Sequence, residues 1–162
     1  MVFVPRDINQ KFMSLAVGLS LENIESSNGG PFGAVIAKDG NIIAEGVNEV
    51  TGRADPTAHA EVVAIRRACQ KLGSYDLAGC TLYTSCEPCP MCLGAIYWAR
   101  LDAVYYAATR SDAARAGFDD ALIYDEISKP PASRTIPFTH TREGAAQEVF
   151  EKWINTSDKI PY

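Results

Sequence analysis

The residues of this chain best equipped to grip a metal ion are His59, Cys89 and Cys92, and Glu61 stands two positions from the histidine. They lie in two short segments, Thr57-Ala58-His59-Ala60-Glu61 and Cys86-Glu87-Pro88-Cys89-Pro90-Met91-Cys92. One imidazole and two thiolates fill three corners of a tetrahedral zinc site and leave the fourth for water, and a carboxylate beside that water can carry a proton. The donor set therefore points to one Zn2+ per chain in a site suited to hydrolysis. Two simpler readings compete with it. Cys-Pro-Met-Cys alone is also a dithiol redox pattern, and a lone histidine on a helix is commonly structural.

The elements that must position these groups follow from periodicity and punctuation. Ile8, Phe12, Leu15, Ala16 and Leu19 have helical spacing with Asp7 as a cap, and Asn28-Gly29-Gly30-Pro31 ends that helix. Residues 32–37 and 42–47 read as strands joined by a turn at 38–41, followed by a helix over 58–72 closed by Gly73. A strand over 81–84, a helix over 90–100 and a strand over 103–108 predict a parallel crossover. Beyond it the pattern predicts a helix over 119–127, a break at Pro130-Pro131, a strand over 135–139 and a helix over 143–154. Both clusters thus fall where a helix begins. Helix N-termini carry partial positive charge and favour thiolates. Cys89 and Cys92 share a helix face, whereas His59 and Glu61 do not. They can meet only beyond the end of their helix, across its first turn.

Composition narrows the partners. At 162 residues, 47% hydrophobic and 22% charged, the chain reads as a single globular domain. No apolar run reaches the length of a membrane span, and Arg6, Asp7 and Lys11 interrupt any secretory signal, so a cytoplasmic location is expected. Acidic residues outnumber basic ones 20 to 15, and Arg66-Arg67 is the only adjacent basic pair. A nucleic-acid ligand would call for a basic stripe, so a small neutral substrate is the expected partner. Cys69 and Cys80 read as small buried hydrophobes.

His-Ala-Glu followed 30 residues later by Pro-Cys-x-x-Cys is much more specific than either piece, and it is the signature of zinc-dependent nucleobase deaminases. The segments from Gly30 to Ile36, Asp55 to Val62 and Ser85 to Ile96 resemble the cytidine deaminase-like superfamily. Within it, Tyr97-Trp98-Ala99-Arg100, Gly117-Phe118-Asp119-Asp120 and the final Tyr162 resemble the bacterial guanine deaminases. That resemblance implies an α/β fold, a three-layer α/β/α sandwich around a five-stranded mixed sheet. It also implies a homodimer in which the segment 140–162 is exchanged between subunits. For the site, it implies that Phe32 stacks on a free purine base, that Asn48 and the Ala60 backbone hold it, and that Asp120 reads its polar edge. Trp98 joins the substrate contacts, Tyr162 closes the pocket from the partner subunit, and Glu126 assists proton transfer.

The chemistry expected is attack of water on C2 of guanine, with Glu61 moving the proton. A carboxylate at Asp120 accepts hydrogen bonds only, which suits the N–H donors of guanine and not the ring acceptors of adenine or cytosine. Guanosine, cytosine, cytidine and tRNA adenosine remain as alternative substrates. A closed zinc module with Cys86 as fourth ligand is the non-enzymatic alternative. From the residues alone, Phe32 also suits a core and Asn48 a strand-end turn. Asp119 and Asp120 also suit helix caps, Trp98 packing, and Tyr162 a chain end.

Overall fold

A computed structural model describes residues 9–162, so the expected cap Asp7 and the helix position Ile8 lie outside the described residues. The chain divides into two compact units, one ending at Asp120 and the other spanning Ala121–Tyr162.

In the first unit, α1 (Gln10–Ser26) is capped by Asn9, whose side chain accepts from the Lys11 N–H. A hairpin follows, β1 (Gly33–Lys38) and β2 (Asn41–Val47). Its two turn residues, Asp39 and Gly40, both have positive φ (50° and 76°), which matches the twist of the strands they join. Then come α2 (Val50–Arg53), α3 (Ala60–Leu72), β3 (Cys80–Cys86), α4 (Pro90–Trp98), β4 (Ala103–Ala108) and α5 (Arg110–Arg115). The sequence pattern missed α2 and α5, which span four and six residues, too short to show a period. Yet α5 had a local signal, because Thr109 and Asp112 form a reciprocal capping box.

The strands order as β2-β1-β3-β4, with β1 antiparallel to both neighbours and β3 parallel to β4. Alternation along β1 divides the core. Ala34 and Ile36, with Ala44 and Leu82, pack against Ala60, Ala64 and Ala68 of α3 and Ile96 of α4. Val35 and Ala37, with Tyr83, face Met13 and Ala16 of α1. Helices thus cover both faces of a mixed sheet, the expected three layers. Small residues permit the close approach of α3: a Cβ on Gly46 would overlap the Ala60 carbonyl.

The expected count of five strands is corrected to four among the described residues. The stretch expected as a strand over 135–139 has no regular structure. Pro137 can donate nothing to a ladder, and the Thr135 N–H is already taken by Glu126 Oε2 at 2.6 Å. The second unit instead consists of α6 (Ala121–Ser128), a short 3-10 turn (Pro131–Ser133) and α7 (Gly144–Ile154). Within it the Arg134 guanidinium lies over the Phe138 ring at 4.8 Å. Ile123, Phe138, Phe150, Trp153 and Ile154 are exposed. No described helix is long and apolar enough to cross a membrane.

Candidate metal centre and active site

The strand register gathers the candidate residues at one end of the sheet. Gly33 pairs with Val47, Ala34 with Thr84, and Cys86 with Ala108. Phe32 therefore enters β1 where Asn48 leaves β2 and where β3 runs out toward Cys89. The Ser85 hydroxyl accepts from the Gly33 N–H at 3.0 Å and ties two of these ends together.

His59 is the N-cap of α3 and Cys89 the N-cap of α4, with Pro90 opening the latter helix. His59 and Glu61 accordingly both reach the Cys92 sulfur across the first turn of α3. The His59 Nδ1 lies 3.5 Å from each of the Cys89 and Cys92 sulfurs. Tetrahedral zinc with bonds of about 2.3 Å to sulfur and about 2.0–2.1 Å to nitrogen holds such atoms about 3.5 Å apart. Both measured edges agree, so the residues present fit the ion. Among the described residues, His59, Cys89 and Cys92 form the one such cluster, their ligand atoms within 4.8 Å of one another. Cys86 stands outside it. Its thiol contacts the Thr109 carbonyl at 3.6 Å, and burial pushes its pKa up to about 11.

The protonation pattern also suits a cation. Hydrogen bonds from Cys92 and His59 pull the Cys89 thiol down to about 4, while the same contact with Cys89 and burial push Cys92 up. A dication held there permits both sulfurs to be thiolates. Contact with Cys89 raises the His59 pKa.

Glu61 is buried at 6% exposure, and that burial raises its pKa. Its Oε2 lies 3.4 Å from the Cys92 sulfur, and its Oε1 accepts from the Thr84 hydroxyl at 3.4 Å. A carboxyl held against the ligand cluster, with its proton affinity raised, is equipped to take up and release a proton.

On the substrate side, Phe32 is half-buried and meets Phe118 edge to face, with ring centres 5.0 Å apart. Asn48 is buried, and its Oδ1 accepts from the Gly30 and Val50 N–H groups at 3.1 and 3.2 Å. It therefore serves the strand-end turn. Ala60, fully buried, is the first residue of α3. Asp120 is half-buried; burial raises its pKa, the nearby Arg110 opposes that shift, and the charge of Cys89 reinforces it. These four belong to the same unit as the metal-ligand cluster. Trp98 closes α4 at the end away from Cys89 and is 68% exposed, about 9 Å of helical rise beyond Cys92.

Glu126 and Tyr162 belong to the second unit. There the Glu126 carboxylate accepts from Lys129 Nζ at 2.6 Å and from the Thr135 N–H and hydroxyl, which hold its pKa below the usual range. Tyr162 is exposed there.

Sequence reasoning missed Asn23 and Thr84. Asn23, 3% exposed in α1, donates from Nδ2 to the Gly30 carbonyl at 2.8 Å and to the Asn48 carbonyl at 2.9 Å. An asparagine inside a helix, where its side chain competes with the backbone, was the available signal. Thr84 had none, since a threonine in a buried strand is ordinary.

The sequence profile of the cytidine and deoxycytidylate deaminase zinc-binding region matches residues 6–108. A guanine deaminase of Bacillus subtilis is 58% identical over 154 residues, covering 95% of this chain and 99% of that protein. The X-ray structure of guanine deaminase from Bacillus subtilis superposes with a TM-score of 0.93 at 58% identity, covering 96% of this chain and 99% of the other. A tRNA-specific adenosine deaminase of Aquifex aeolicus is 46% identical, but over 48% of this chain and 52% of its own length.

Proposed function

We propose, for a chain that belongs to the cytidine and deoxycytidylate deaminase zinc-binding family, hydrolytic deamination of guanine to xanthine and ammonia. The observation that carries the chemistry is the buried Glu61 carboxyl against the His59, Cys89 and Cys92 cluster. Guanine is favoured because likeness to a guanine deaminase runs along 95% of the chain, whereas likeness to a tRNA adenosine deaminase covers 48% of it.

His59 Nδ1 and the thiolates of Cys89 and Cys92 would hold one Zn2+. When bound, that ion supplies a water acidified toward neutral pH. The remaining steps belong to the chain. Glu61 takes a proton from the attacking water as its oxygen bonds to C2 of guanine, and passes that proton to the adjacent ring nitrogen. It then carries the second water proton to the amino group as the C2–N bond breaks, so that ammonia departs and xanthine remains. Thr84 holds one oxygen of that carboxyl, leaving the other beside the ligand cluster.

Phe32 stacks on the purine, Asn48 and the Ala60 backbone hold it, and Asp120 accepts from its N–H edge. Trp98 and Tyr162 are assigned to the pocket on the likeness to guanine deaminases alone, the tyrosine arriving from the partner of a homodimer that exchanges residues 140–162. Glu126 assists proton transfer on the same ground. Lys129 and Thr135 stabilise its charged form and make it a poorer proton acceptor than Glu61, so Glu61 carries the principal transfer. Five unpaired cysteines suit a reducing, cytoplasmic setting.

An ammonia-release assay across guanine, guanosine, adenine, cytosine and cytidine tests this reading. Guanine should exceed every other substrate in kcat/KM by at least about a hundredfold. Equal or faster release from another base or nucleoside would transfer the assignment to it.

A further inference from the structure

Asn48 faces a problem that its own side chain cannot solve. An asparagine amide presents either an acceptor or two donors, depending on which way it is turned. Here the choice is made by the backbone. The Gly30 and Val50 N–H groups both point at one end of the amide, and only an oxygen can receive them. The NH2 end is thereby turned away as a donor. Its aim depends on keeping two separate segments in register, the glycine loop before Phe32 and the strand end at Asn48.

A single buried side chain spans those two segments. The two Nδ2 hydrogens of Asn23 go to the carbonyls of Gly30 and Asn48, and the Ser26 hydroxyl shares its one hydrogen between the Asn23 carbonyl at 2.9 Å and the Asn23 Oδ1 at 3.1 Å. The Gly30 carbonyl also receives the Phe32 N–H at 2.8 Å, and the Asn48 N–H donates to the Phe32 carbonyl at 3.1 Å. Asn23 therefore closes a ring of bonds that runs through the backbones of Phe32 and Asn48, the two residues whose side chains are assigned to grip the base. Gly29 allows that ring to be small, since a Cβ there would overlap the Asn48 side chain and carbonyl.

We propose that Asn23 is a positioning residue for base recognition: by clamping the Gly30 and Asn48 carbonyls it fixes Asn48 as a hydrogen-bond donor to an acceptor on the purine edge. It touches no substrate and acts through Asn48 and Phe32. This inference rests on the guanine reading and extends it, because it makes an acceptor on the base a requirement of the site.

The test is a double-mutant cycle on the full-length, zinc-loaded enzyme, with Asn23→Ala, Asn48→Ala and the double variant assayed for kcat and KM on guanine. Asn23→Ala should lower kcat/KM at least tenfold, mostly through KM, with kcat within about threefold of the parent and zinc content unchanged. In the Asn48→Ala background the same change should cost less than about threefold. An unchanged KM, or an equal loss in both backgrounds, would overturn the proposal, and so would a fall confined to kcat or thermal midpoint. Should Asn23→Ala fail to fold, Ser26→Ala decides the matter. Loosening the Asn23 amide should raise KM about threefold at an unchanged thermal midpoint, and an unaltered KM would overturn the proposal. If the parent enzyme releases no ammonia from guanine, the functional reading falls and this inference with it. An active parent with insensitive variants sinks the inference alone.

Discussion

At the scale of single residues, burial separates the roles of chemically similar groups. Glu61 and Glu126 are both glutamates. The first is buried with its proton affinity raised, while the second is held as an anion by Lys129 and Thr135. Glu61→Gln keeps the shape and the hydrogen bond to Thr84 but cannot accept the proton. Zinc content should stay near one per chain while guanine turnover falls at least about a hundredfold; near-parental ammonia release from that variant would remove Glu61 from the mechanism. The three proposed ligands should behave differently, because each would supply a corner. Metal analysis of Cys89→Ala or His59→Ala should find well under half of the parental zinc. Full retention would mean that the cluster is not the site.

At the scale of elements, the site depends on how closely two helix starts approach one end of a sheet. Gly46 lets the first turn of α3 rest on β2, and a methyl group there would meet the Ala60 carbonyl. Gly46→Ala should cost about 1–3 kcal/mol by overpacking. It should also lower zinc affinity, because His59 and Glu61 ride on that turn. Thermal melting and metal titration together check this, and parental values in both would show that the strand yields freely. The capping box of α5 adds a pH signature. Hydrogen bonds from the Thr109 backbone and hydroxyl hold Asp112 below the usual carboxylate range. The stability it contributes is therefore present above its unfolded pKa and lost as pH falls through the lower folded value. Asp112→Asn should flatten that part of the acid stability curve in a pH series of thermal melts, and an unaltered curve would show that the cap contributes nothing to the acid limb.

At the scale of the whole molecule, the apolar side chains exposed on α7, among them Phe150 and Trp153, accompany the proposal that this segment is shared between subunits. Deleting residues 160–162 should lower kcat/KM on guanine while leaving the thermal midpoint within a few degrees. An unchanged kcat/KM would return Tyr162 to an ordinary chain end. The His59, Cys89 and Cys92 cluster, the hairpin and the β3-α4-β4 crossover were all legible in the residues, because each rests on local chemistry: donor types at fixed spacing, a turn that tolerates positive φ, a proline at a helix start. Local pattern also misled. Alternation over 135–139 looked like a strand, but Pro137 and the bond from Thr135 to Glu126 prevented it. What the sequence by itself determined was therefore which residues could serve as metal donors and as proton carrier, since that capacity follows from atom types and spacing. Only the tertiary structure decided that Asn23 ties Gly30 to Asn48, and that Glu61 is buried against Cys92. Those contacts join residues 7, 25 and 31 positions apart, and no local periodicity encodes a meeting that is created by packing helices on a sheet.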